Sequence, residues 1–240
     1  MVQAIGLGMV VLVGAGAQRV TGLGFSLVAS PFMVLLLGPF NGVLVINACG
    51  AVAASIVLTQ VWRDVDIRRA LLLIGPALPA VVVGAWMARG LPAAPLAIVV
   101  GALILVALVA VVASEKARVL RGTTGAVIAG IGSGFLNVTV GAGGPAVAVY
   151  AVSIGWAQRN FAATAQLVFA ALGVASLVAK GGHPSMAAAG WVTVGAGLLI
   201  GIVAGNHLAE RVAPERAQAA VIFLAMAGAI LTVVKGVVQL

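Results

Sequence analysis

The chain has 240 residues, 63% of them apolar and 8% charged, with a mean hydropathy of +1.24. A soluble domain needs roughly a quarter charged residues to cover its surface, so a water-soluble fold is excluded and an integral membrane protein with almost no soluble part is expected. The net charge of +8 comes from 13 Lys/Arg against 5 Asp/Glu; the basic residues sit singly or in short groups between apolar runs, as topology signals do, and form no nucleic-acid surface.

In chain order, the first long apolar stretch is residues 2–37. It is too long for one span and short for two, and it is interrupted from Gly14 to Gly24, where Gln18, Arg19 and Thr21 lie among glycines. No cleavable signal is expected there, because Arg19 is the first positive residue. Three plain spans follow at 41–61, 70–88 and 94–113. After a charged connector at 114–122 the pattern returns. Residues 123–154 form a second interrupted stretch, broken between Gly132 and Pro145, and spans at 160–179, 186–208 and 217–238 follow. The six plain spans have about 19 to 23 residues each, enough to cross a ~30 Å hydrocarbon core. The arms of the interrupted stretches have about 11 to 16 residues, roughly 17–24 Å as helix, which suits a re-entrant or broken hairpin.

The chain reads as duplicated. An offset of 119 pairs Gly22 and Gly24 with Gly141 and Gly143, Asn41 with Asn160, and Asn47 with Gln166. The expected organisation is therefore all-α and polytopic: a first transmembrane repeat at 1–113, a cytoplasmic connector at 114–122 and a second repeat at 123–240. If each broken stretch returns to its own side, the halves are inverted, and nine Lys/Arg face three across the membrane; if each crosses once, the count is eight to four. The positive-inside rule favours the inverted arrangement, a recurring transporter plan, with both termini outside.

Irregular backbone inside a membrane is tolerated only where protein or a water-filled cavity surrounds it. A broken helix turns free N–H groups toward the break, glycine lets a ligand approach that backbone, and Pro145 suits the first turn of the next half-helix. Two such breaks meeting near midplane would cradle an anion through Gly22, Gly24, Gly141, Gly143 and Gly144. The competing reading is that these glycines only allow close helix packing. Arg19 is either a buried anion-binding charge or a residue of a cytoplasmic turn. Thr21, Asn47, Asn137, Thr139 and Gln166, with Gln18 and Thr164, are neutral groups that either bond an oxyanion or join helices.

Asp64, Asp66, Glu115, Glu210 and Glu215 all fall in or beside connections, which argues against a carboxylate relay for protons or sodium. His183 reads as a loop residue and His207 as interfacial, with proton coupling as its alternative role. Cys49 reads as a small buried hydrophobe, and a lone cysteine excludes an internal disulfide and multi-cysteine metal sites. No metal, cofactor, catalytic residue or ATP-binding loop is expected.

The run from Gly132 through Asn137, Val138 and Thr139 to Gly143, Gly144 and Pro145, followed by Tyr150, Trp156 and the segment from Asn160 and Phe161 to Thr164, resembles the sulfite exporter TauE/SafE family, also called the toluene-sulfonate uptake permease family. The run from Gly22 to Pro31 adds to the resemblance, which covers nearly the whole chain. It implies transport of sulfite, sulfonates or related small organic anions across the bacterial cytoplasmic membrane. The chain departs from glycine-denser members at Gln18 to Thr21. Together these readings describe a secondary transporter of a small oxyanion, with proton coupling as an option, working by alternating access in the lipid bilayer. Two alternatives stand beside it: a structural or assembly subunit, and a membrane-embedded enzyme, which would need clustered His, Cys or acidic residues.

The charge count makes 114–122 cytoplasmic. In a Cys49→Ala background, Arg118→Cys should be shielded from an impermeant thiol reagent in intact cells and react only after permeabilisation.

Overall fold

The computed structural model describes residues 2–21, 24–114, 120–182, 184–209, 211–212 and 214–240. Gly22, part of the connector, His183 and Glu210 therefore lie outside the described residues. The described chain is helical: α1 (Val2–Thr21), α2 (Gly24–Leu37), α3 (Pro39–Val61), a 3-10 turn (Trp62–Asp64), α4 (Ile67–Gly90), α5 (Ala93–Ser114), α6 (Gly122–Val140), α7 (Gly144–Ser153), α8 (Gln158–Lys180), α9 (Ala188–Ala209) and α10 (Pro214–Val238). Eight of these are long and apolar enough to cross a membrane; α2 and α7 are the shorter ones. Trp86, Val178 and Val192 are 79%, 74% and 70% exposed, which in water would be a liability and in hydrocarbon is the matched solvent. The protein is a polytopic all-α membrane protein.

The plain spans match their sequence expectation to within a few residues. The interrupted stretches do not have two similar arms. Their first arms, α1 and α6, have 20 and 19 residues, and their second arms, α2 and α7, have 14 and 10. The reason is that glycine does not end a helix in lipid when a neighbour packs against it. Helix α1 runs on through Gly14 and Gly16, and α6 through Gly132 and Gly134, so each break is confined to a few residues.

The chain divides into two compact units, each taking helices from both sequence halves: 1–46, 92–105 and 183–240 form the first, and 47–91 with 106–182 the second. In the first unit, α1 and α9 run parallel. Gly201 lies against Leu12, where a Cβ would come 2.5 Å from the Leu12 carbonyl oxygen; Gly205 lies against Gly16 and Arg19, and Gly197 against Gly8. The spacing Gly197, Gly201, Gly205 is the small-residue stripe that lets helix backbones touch. Helix α2 turns back along α1, since the Gln3 amide donates to the Leu36 carbonyl at 2.9 Å. It then packs on α10, where Gly228 faces Pro31 and the Thr232 hydroxyl donates to the carbonyls of Gly228 at 2.8 Å and Pro31 at 3.3 Å. Gly38, at φ +80°, makes the turn into α3, a left-handed conformation that glycine adopts without a Cβ clash.

In the second unit α4 and α6 pair in the same way, Gly130 against Leu73 and Pro76, Gly134 against Ala77, and Gly84 against Val138. Helices α4 and α8 are also parallel. Near their starts the Asp66 N–H donates to the Thr164 hydroxyl at 2.9 Å, and near their ends the Arg89 Nε donates to the Lys180 carbonyl at 3.2 Å. The second part of α3 is antiparallel to α8: Asn47 and Ala51 lie beside Gly173, while the Asp64 carbonyl accepts from the Asn160 amide at 3.0 Å. These directions require α7 to reverse α6, and the Leu120 N–H accordingly donates to the Ser153 hydroxyl at 3.3 Å. The interrupted stretch is thus a hairpin that returns to its own end.

Adding bulk at the tight crossings should be costly. Gly134→Val would force a side chain into the Ala77 carbonyl, whereas a Cβ at Gly75 meets nothing within 4 Å. Thermal unfolding of the purified protein should show Gly134→Val destabilised by about 1–3 kcal/mol or more and Gly75→Ala close to wild type.

Candidate functional site

Helix α6 stops at Gly141, whose φ of +77° places it in the left-handed region. Its N–H donates to the Asn137 carbonyl at 2.8 Å, and the Ala142 N–H to the Leu136 carbonyl at 3.4 Å. Two of the last carbonyls of α6 are therefore satisfied by the turn itself. The chain then folds back on the helix it has just left. A Cβ at Gly143 would lie 2.7 Å from the Ser133 hydroxyl, 2.8 Å from the Ser133 carbonyl oxygen and 3.2 Å from the Asn137 Cβ. Helix α7 begins at Gly144 with Pro145 in its first turn. The first N–H groups of a helix have no partner within it, and the start of α7 lies beside Ser133 and Asn137.

Asn137 is the hub of this region. Its amide nitrogen donates to Asn47 Oδ1 at 3.1 Å and to Ser176 Oγ at 3.0 Å. Asn47, Ser133, Asn137 and Ser176 are all buried, at 2%, 0%, 6% and 0% exposure. Among the described residues, the Asn47 amide nitrogen and the Ser133 hydroxyl have no hydrogen-bond partner. A buried polar group left unpaired costs roughly 1–3 kcal/mol, so leaving two beside one helix N-terminus needs a reason. Asn47 Nδ2 is a pure donor and Ser133 Oγ carries a donor hydrogen; the region can therefore offer hydrogen bonds to an acceptor-rich guest.

Several residues singled out from the sequence converge here: Asn47, Asn137, Gly141, Gly143, Gly144 and Pro145. Others do not. The Thr139 hydroxyl donates to the Phe135 carbonyl of its own helix at 2.6 Å. Thr164 accepts from the Asp66 N–H and donates to the Asn160 carbonyl, so it ties α4 to α8. Gln166 is buried, but its amide nitrogen donates weakly to the Ala162 carbonyl at 3.4 Å, and it stands about 15 Å along α8 from Ser176. Arg19 belongs to the first unit, is exposed, and donates from Nε to Asn206 Oδ1 at 2.7 Å. Thr21 ends α1 and Gly24 begins α2; nothing is described of their side chains.

The family model for the sulfite exporter TauE/SafE matches residues 7–232, a range that includes both hairpins. The chain belongs to the TauE/SafE family. No curated protein and no solved structure matches it significantly. TauE/SafE proteins form a transporter family, and this member is a multi-pass membrane transporter.

Sequence reasoning passed over three residues of this TauE/SafE chain that the tertiary structure brings forward. Ser133 stands one helical turn before Asn137, a spacing that signals a shared face, and Ser176 reads as one more small residue in an apolar span. Lys180 reads as a topology charge at a span end, yet it is only 3% exposed.

Two substitutions at neighbouring polar positions should separate shared bonds from local ones. Asn137→Ala strands Asn47 Oδ1 and should destabilise the protein by about 1–3 kcal/mol. Thr139→Val removes only a bond within its own helix and should cost under about 1 kcal/mol. Denaturation in detergent, followed by tryptophan fluorescence, checks both.

Proposed function

We propose that this transporter moves a small anion, such as sulfite, an organosulfonate or a related oxyanion, across the bacterial cytoplasmic membrane, and that the α6–α7 break is part of its binding site. The observation that carries this reading is the pair of buried, unpartnered groups, Asn47 Nδ2 and Ser133 Oγ, beside the start of α7. Sulfur oxyanions are acceptor-only, and donors held in place by a protein replace a hydration shell without reorganising. A helix N-terminus adds partial positive charge. Glycine at Gly143 lets the start of α7 pack directly against Ser133.

The mechanism we infer is alternating access between two inverted repeats, residues 1–113 and 123–240. Two features support it: α3 and α8 have the same length, 23 residues, and share the 119-residue offset seen in the sequence. Proton coupling would pass through His207 or through protonation of the substrate itself, because the described acids, Asp64, Asp66 and Glu215, sit at the turn between α3 and α4 or at the start of α10. The first break, with Gly22, Gly24, Thr21 and Arg19, is read as a second anion-binding element, within the first unit.

Counterflow of a labelled sulfonate in liposomes containing the purified protein tests the reading. Ser133→Ala, which removes the unpartnered hydroxyl without adding bulk, should lower uptake about 10-fold while the protein remains folded. Arg19→Gln should lower uptake of doubly charged anions more than of singly charged ones if the first break binds anions. Wild-type uptake by both variants would remove the two breaks from the transport path.

A further inference from the structure

We propose that the groove between α1, α9 and α10 binds an anionic phospholipid, with an acyl chain in the groove and the headgroup phosphate on Arg216. All three helices belong to the first unit. The site is therefore separate from the α6–α7 break and stands independently of the reading of that break.

Small residues make the groove. Gly201 and Gly205 bring α9 against α1, and Ala204, Ala217 and Ala220 on α9 and α10 line the space that remains, about 350 Å³. Along α10 the lining runs from Arg216 to Leu224, roughly 12 Å of helix, so the groove is long and narrow. It is open at the side: Val13 and Leu208, which also line it, are 45% and 53% exposed. An apolar slot open to the surroundings of a membrane-spanning unit faces acyl chains, and hydrocarbon matches its walls.

One end of the groove is charged. Arg216 lines it, is exposed, and stands in the first turn of α10, just after the connection from α9. That is where a span meets the headgroup layer. Arg19 is at the same end, but its Nε already donates to Asn206 Oδ1 at 2.7 Å. Counted along the sequence, Arg19, Arg211 and Arg216 stand with Glu210 and Glu215, which leaves this end positive. A phosphodiester brings one negative charge and acceptor oxygens that suit the guanidinium fork, and basic pockets between spans bind anionic headgroups. A soluble phosphate compound would meet the same guanidinium and leave the apolar slot empty. A zwitterionic phospholipid would fill the slot but bring a cation of its own toward Arg216. An anionic phospholipid satisfies both halves of the site.

The test is native mass spectrometry of the detergent-purified protein, titrated with phosphatidylglycerol or with phosphatidylcholine of the same acyl chains. The wild type should bind phosphatidylglycerol about 5- to 10-fold more tightly, the size expected for one basic contact at a membrane surface. Arg216→Gln should abolish that preference, and Arg216→Lys, which keeps the charge, should retain most of it. Ala220→Phe adds bulk at an exposed position of the groove wall and should weaken both lipids. Ala204→Phe, exposed on the α9 side of the groove, gives the same reading if the Ala220 variant does not purify as a single species. Glycerol 3-phosphate, which lacks the chains, should not displace phosphatidylglycerol. Equal affinity of the wild type for the two lipids, or an undiminished preference in Arg216→Gln, would overturn the headgroup contact. Wild-type binding of both lipids by the two Phe variants would put the lipid outside the groove and overturn the site. Displacement by glycerol 3-phosphate would make this a site for soluble phosphates and overturn the lipid assignment.

Discussion

A helix that stops inside hydrocarbon exposes backbone groups that no water can reach, and the α6–α7 hairpin is built around that constraint. Each unpaired backbone group there costs several kcal/mol. The Gly141 turn disposes of carbonyls at the end of α6 by returning the N–H groups of Gly141 and Ala142 to Asn137 and Leu136. The N–H groups that open α7 have no partner within their own helix. They face a stretch of α6 where Ser133 and Asn137 replace apolar side chains. The Asn47 amide nitrogen and the Ser133 hydroxyl are buried in this region without a hydrogen-bond partner.

Holding such a hairpin in place falls to glycine. Lipid is as apolar as a leucine side chain, so burying Leu against Leu gains little between spans, and close backbone packing has to supply the attraction. The parallel pairs α1–α9 and α4–α6 do so in their separate units through glycine stripes on α9 and α6. Each pair joins the long arm of one hairpin to a span from the other half of the chain. The polar ties are at the ends: Asp66 to Thr164, Asp64 to Arg159 and Asn160, and Arg89 to the last carbonyls of α8. They set helix register where water is near and leave the middle of the second unit to Asn47, Asn137 and Ser176.

Charge is used sparingly for the same reason. The described Arg side chains are exposed or half-buried. Arg69 lies over the Trp156 ring at 4.7 Å, and Arg159 pairs with Asp64 at 2.8 Å. Pairs so close to water contribute little stability, and their more consistent effect is on orientation across the membrane. Lys180 breaks the pattern by being buried, and it does so one turn from the polar cluster.

How much of this was legible in the sequence depends on the range of the interaction concerned. The membrane class and the six plain spans followed from composition and run length, because a span needs only enough apolar residues to cross. The positions of the two interruptions were visible in spacing, since glycine clusters are local facts. Arm lengths were not, because whether Gly16 or Gly134 continues a helix depends on a backbone packed against it from far along the chain. The reversal at α7 was favoured by one charge in the topology count; the tertiary structure decided it through the parallel run of α4 and α8. Asn47 and Asn137 were chosen as polar residues near breaks or in the following spans, but their direct bond joins residues 90 apart in sequence. Ser176 and Lys180 carried no local signal, and Ser133 only its spacing of one turn before Asn137: a serine in a span or a lysine at its end is ordinary by composition. Burial and the company of other side chains are properties of the folded chain, and they alone made those three residues stand out.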